Sequence, residues 1–177
     1  MKRKWTLALL VVVVGAALYG GHVLATPSSG LTTTIYAKSL FDPVNLKGFA
    51  LLPNTDQQKG RFHWPKYWRA RIKTHGLSDV YVVDNKIAPG GTTGWHSHPG
   101  PSMIFVVAGT VTNYMGDDPT CTGESYSAGS GFTDPGGTDV HMLRNDGSVP
   151  AETIAVQFLP TGAVRRTDMP DPGNCPS

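Results

Sequence analysis

His96 and His98 stand two residues apart in the run Gly90-Gly-Thr-Thr-Gly-Trp95-His96-Ser-His98-Pro-Gly-Pro-Ser102-Met-Ile-Phe-Val-Val-Ala108-Gly109. On a strand, residues i and i+2 point to one face of the sheet, so both imidazoles can reach one cation. A third imidazole, His141, follows the turn-rich segment from Gly129 to Asp139 on a short apolar stretch that ends at Asn145. If the strands close into a small barrel, His141 can face the other two. Neutral imidazoles suit Fe, Mn, Ni, Cu or Zn, and three on one face leave positions open for water, a small-molecule ligand or substrate, or dioxygen. An open position separates a working metal site from a structural one. The alternative is a barrel that keeps the three rings as hydrogen-bonded polar side chains without metal.

The two segments together resemble the cupin family. Its first motif is Gly, five residues, His-x-His, three residues, Glu, six residues, Gly. Gly90, His96, His98 and Gly109 fall on those places, and Ser102 stands where the family has glutamate. Its second motif is Gly, five residues, Pro, one residue, Gly, two residues, His, three residues, Asn. Gly129, Pro135, Gly137, His141 and Asn145 match it with one extra residue before the histidine. The likeness is nearest to the single-domain cupins that bacteria export. It implies an all-β fold, a single cupin-type β-barrel (double-stranded β-helix or jelly roll), with His96, His98 and His141 as metal ligands and Ser102 at the candidate fourth-ligand position. The serine hydroxyl is neutral and short, so the expected centre is a three-histidine site, weaker and more cationic than the family's. Asp134, Asp139 and Glu152 read as solvent-exposed carboxylates of turns and strand ends.

Alternation along the strand after His98 turns Ile104, Val106 and Ala108 inward as an apolar pocket wall, suited to a small, mostly hydrophobic organic molecule. The same count turns Trp95 away from His96 into packing and leaves Arg144 at the surface. No general acid or base is visible beyond the ligands, so catalytic residues stay unassigned. Three readings remain open: a metal-dependent enzyme of the dioxygenase type, which the resemblance implies; a module that binds metal or a small ligand without turnover; and a metal-free structural barrel.

The elements that must position these residues can be followed along the chain. Residues 1–25 have a basic start, an apolar run and Val23-Leu-Ala25 as a small-residue cleavage site, which reads as an export signal cleaved after Ala25. The stretch from Trp5 to Ala25 carries no charge and approaches the roughly 20 residues that span a bilayer, so a membrane anchor with the domain outside is the competing reading. Residues 26–60 form a linker and a first strand region around Leu31–Ala37, 61–160 the barrel, and 161–177 an extended tail rich in proline and charge. Within the barrel, strands are expected over 69–74, 78–88, 105–115, 124–128 and 153–159, with turn residues between them and no helical period. His63 and His75 read as loop or strand-end residues, and His22 belongs to the leader. Exposed edge strands make a two-fold homodimer the expected assembly.

At 177 residues the chain is long enough for one domain with a core. Its formal charge of +2 comes from the leader: removing Lys2, Arg3 and Lys4 takes 15 basic residues to 12, against 13 acidic. That balance gives no sign of a nucleic-acid partner. Contact with membrane is expected only through the N-terminal segment. The two cysteines, Cys121 and Cys175, read as a disulfide in a secreted or periplasmic protein, with two free thiols as the alternative.

Overall fold

The structure, a computed structural model, describes residues 24–51 and 67–175. The leader therefore lies outside the described residues apart from Leu24 and Ala25, as does His63. Among the described residues no helix is long and apolar enough to cross a membrane.

Among the described residues twelve strands follow in chain order: β1 (Ser29–Phe41), β2 (Asn45–Leu51), β3 (Tyr67–Lys73), β4 (Ser78–Thr92), β5 (His96–Ser97), β6 (Ser102–Ala108), β7 (Thr110–Met115), β8 (Glu124–Ser127), β9 (Gly131–Asp134), β10 (His141–Arg144), β11 (Ala151–Pro160) and β12 (Thr167–Asp168). Ten of them make one sheet that curls toward closure, with path β12-β5-β10-β4-β11-β6-β9, β1 added along β4, and β7 joining β10 to β8. β2 and β3 pair separately as a two-stranded sheet. All ladders are antiparallel, as expected of a jelly-roll barrel.

The long strands show why the sequence folds this way. Along β11 every second residue, Ala151, Thr153, Ala155, Gln157 and Leu159, is buried. β6 buries Ser102, Ile104 and Val106 and exposes Met103, Phe105 and Val107. These inward residues meet those of β4 in two clusters. One holds Tyr81, Val83, Ile104, Ala155 and Leu159; the other holds Ile87, Val106, Val111, Leu143 and Ala151. Gly109 makes the turn from β6 to β7 with φ +65°, and a Cβ there would stand 2.6 Å from the Pro150 carbonyl oxygen. Glycine is required by both counts.

β1 is longer than the expected 31–37 strand and lies along β4 from Ser78 to Thr92. The tail is less irregular than its composition suggests. Thr167 and Asp168 pair with Ser97 and His96 in β5, the Met169 amide donates to the Trp95 carbonyl at 2.8 Å, and the Thr26 amide donates to the Met169 carbonyl at 2.9 Å. Cys121 and Cys175 form a disulfide, Cα–Cα 5.1 Å, which ties the end of the tail to the β7–β8 loop.

Candidate metal centre

His96 lies on β5 and His141 opens β10, and the two are direct cross-strand partners. His98 follows one residue after β5. Short neighbouring strands thus bring three imidazoles from two distant segments to one point. All three are buried. One nitrogen from each lies within 4.8 Å of the others, and the Nε2 atoms of His96 and His141 are 3.1 Å apart.

Backbone carbonyls orient two of the rings. His96 Nδ1 is 2.8 Å from the Gly94 carbonyl oxygen, and His98 Nδ1 is 2.7 Å from that of Arg165. A carbonyl only accepts, so Nδ1 carries the proton on both rings and the Nε2 lone pairs point inward. The imidazoles are also kept neutral. Burial pushes the His96 pKa well below the ordinary value, with the charges of His141, Arg166 and His98 adding to the effect. Burial also lowers His98, and lowers His141 to about 4 against the opposing pull of Asp134. Neutral and inward-facing, two of them oriented from behind, the three rings fit a divalent metal.

The surroundings differ from the expected apolar wall. A cavity of about 40 Å³ beside the histidines is lined by Thr93, Ser102, Thr153, Gln157, Arg165 and Arg166 among others. Ile104 does line it. Val106 lies in the core cluster with Ile87 and Val111, and Ala108 ends β6 opposite Glu152; neither reaches the cavity. Polar residues face the histidines because the inward positions of β11 at this level are Thr153 and Gln157. Gln157 Nε2 donates to Ser102 Oγ at 3.2 Å, and its Oε1 accepts from Arg165 Nη1 at 3.1 Å.

Asp134 corrects a second expectation. It is not an exposed turn carboxylate but 3% exposed, at the end of β9 directly opposite Ser102. Its Oδ1 accepts from the Gly136 amide at 2.8 Å. Its Oδ2 lies 3.7 Å from His141 Nε2 and 4.0 Å from His98 Nε2. Glu152 and His75 behave as expected: Glu152 sits 3.9 Å from Lys86 at the surface and His75 is exposed. Trp95 is 1% exposed, packed away from the cavity, and Arg144 pairs with Asp146 at 3.1 Å.

Thr93, Thr153, Gln157, Arg165 and Arg166 line the site without a signal named from the sequence. Arg165 and Arg166 come from the tail, where Arg166 Nη2 donates to the Thr93 carbonyl at 2.5 Å. Gln157 could have been found, because the alternation that buries Ala155 and Leu159 buries it too. Asn145 has a different task from the histidines. Its Nδ2 donates to the Ile87 and Val149 carbonyls at 2.9 and 2.8 Å, and its Oδ1 accepts from the Gly147 amide at 3.0 Å, so it pins the β10–β11 turn to β4.

Residues 85–157 match the family model described as the cupin domain. No curated protein matches the chain by sequence. Among solved structures, an oxalate oxidase is 25% identical, with 44% of this chain and 41% of that one covered and a TM-score of 0.39. The chain thus spans less than half the length of that protein. A double-stranded β-helix protein from Klebsiella pneumoniae subsp. pneumoniae is 22% identical over 50% of this chain and 73% of that one, TM-score 0.43. The polyketide cyclase RemF from Streptomyces resistomycificus is 20% identical over 52% and 64%, TM-score 0.43. Residues 85–157, the part of the chain that matches the cupin domain, carry all three buried histidines, His96, His98 and His141.

Proposed function

We propose that the protein is an exported, metal-binding cupin whose three-histidine centre serves a dioxygenase-type oxidoreductase acting on a small organic molecule. The observation that carries this reading is the convergence of His96, His98 and His141, all buried, with Nδ1 of two of them held by carbonyls. A bound divalent ion would supply Lewis-acid and redox chemistry at its open positions. The chain's own residues hold and select. The Gly94 and Arg165 carbonyls keep two rings in the ligating tautomer, and Gln157 links Ser102 to the Arg165 guanidinium.

The polar lining and the two arginines favour a ligand carrying a carboxylate or another anion over the hydrophobic molecule expected from Ile104, Val106 and Ala108. Oxygen uptake by iron-loaded protein, followed across a panel of small carboxylates and neutral analogues, tests the reading. Uptake dependent on a carboxylate supports it.

A non-catalytic binding module is the second reading, favoured by the cavity itself. At about 40 Å³ it holds one or two waters beside an ion, well below the roughly 300 Å³ at which ordinary ligand pockets begin. Metal binding without oxygen uptake supports the module, and protein that takes up no metal overturns both.

Export is part of the same proposal. The Cys121–Cys175 bridge fits an oxidising compartment, and mass spectrometry of protein from its native compartment tests whether the chain begins near Thr26. A homodimer is proposed through β1, which exposes Ile35, Tyr36, Leu40 and Phe41. Size-exclusion chromatography with light scattering tests it, and a monomer at high concentration refutes it.

A further inference from the structure

We propose that Asp134 is the fourth, anionic ligand of the three-histidine centre, a carboxylate moved across the β6–β9 ladder from position 102 to its cross-strand partner. The inference rests on the reading of the histidines as a metal site.

Three observations carry it. Ser102 and Asp134 are direct partners in the ladder, so side chains at these two positions project from neighbouring points on one face of the sheet. The position that lacks a carboxylate therefore has one beside it. Asp134 Oδ2 is also buried without a hydrogen-bond partner among the described residues. A buried carboxylate oxygen left unpaired is costly, and its burial needs a compensating partner.

The direction of that oxygen supplies the third observation. It lies 3.7 Å from His141 Nε2 and 4.0 Å from His98 Nε2. The Nδ1 atom of His98 is occupied by the Arg165 carbonyl, so the carboxylate stands on the ring's ligating side and not behind it. Two ligand atoms each about 2.1 Å from one ion are at most about 4.2 Å apart. The separations from His98 and His141 fall inside that limit, while the ligand atoms that all lie within 4.8 Å of one another are those of the three histidines, so the carboxylate closes toward His96 when an ion binds.

The carboxylate is held in place. Its other oxygen, Oδ1, accepts from the Gly136 amide. Gly136 has φ +71°, and a Cβ there would lie 2.3 Å from the Gly100 carbonyl oxygen, so only glycine lets the turn close around Asp134. The centre would then be three imidazoles and one carboxylate. That set lowers the charge of the site by one and suits harder ions such as Mn²⁺ and Fe²⁺ better than three imidazoles alone.

The test is a chelator-competition measurement of Mn²⁺ and Zn²⁺ affinity on the full chain, for wild type, Asp134→Asn, His141→Ala and the double variant Ser102→Glu/Asp134→Asn. Asparagine preserves the acceptor for Gly136 and removes the charge. Asp134→Asn should weaken Mn²⁺ binding at least about tenfold and Zn²⁺ binding less, while the double variant recovers Mn²⁺ affinity. A merely structural aspartate would move both ions equally and gain nothing from Glu at 102. Wild type that binds while Asp134→Asn matches it for both ions overturns the inference and leaves the histidine site standing. Wild type that binds neither ion overturns the histidine site itself, and the inference with it. Infrared difference spectra of aspartate-labelled wild type with and without Mn²⁺ need no variant to fold: a shifted carboxylate band is expected, and an unshifted one overturns the inference.

Discussion

Acid should destabilise the metal-free protein through its buried histidines, and His141 gives the effect a size. An imidazole in the unfolded chain titrates near 6.5, whereas in the fold His141 is lowered to about 4, chiefly by burial. Between those values the unfolded chain holds a proton that the folded protein does not. The stability present above pH 6.5 therefore falls as pH falls, and the loss levels off below about pH 4. Going from pH 7 to pH 5 crosses about 1.5 units of that window, which at about 1.4 kcal/mol per unit costs about 2 kcal/mol. His96 and His98 are lowered as well, again mainly by burial, and act in the same direction. Urea unfolding followed by tryptophan fluorescence, in chelator at pH 7 and pH 5, measures it for wild type and His141→Gln. The variant should lose about 2 kcal/mol less than wild type over this interval. Equal losses in the two proteins would refute the claim that His141 is buried neutral.

Other outcomes follow from the same geometry. Ser102→Ala should leave metal content near wild type, because Ser102 Oγ accepts from Gln157 and carries no charge; metal analysis of the purified variant checks this. The Cys121–Cys175 bridge has a sequence separation of 54, so reducing it should cost up to about 4 kcal/mol in the chain-entropy account. Thiol titration of denatured, non-reduced protein should find no free thiol, and two would contradict the bridge. Asn145→Ala leaves the Ile87 and Val149 carbonyls and the Gly147 amide without their partner. It should cost at least about 2 kcal/mol in chemical denaturation.

The histidine site was legible because its signals are local. His96 and His98 are two residues apart, and strand periodicity alone turns them to one face. The recurring strands with turn residues between them and the lack of a helical period likewise predicted the barrel. Alternation gave the right face for Ile104 and Val106 but not their depth: the cavity lies at the level of Ser102 and Ile104, while Val106 sits in the core cluster of Ile87 and Val111. Asp134 was misread because its burial depends on the β6–β9 register, a long-range pairing that Thr-Asp-Pro-Gly does not announce. The tail was misread for the same reason. Proline and charge make 161–177 look like solvated chain, yet the Arg165 carbonyl meets His98 across 67 residues, and Asp168 pairs with His96. Asp134 and the two arginines reach the site through distant contacts, whereas the three histidines lie within local motifs and Ile104 follows from strand alternation.

Titration of chelated protein with Co²⁺, followed by its visible d–d absorption, tests the central claim most directly. His96, His98 and His141 predict saturation at one ion per chain, with the bands lost in His141→Ala. Absence of such bands in wild type, or their persistence unchanged in His141→Ala, would contradict it.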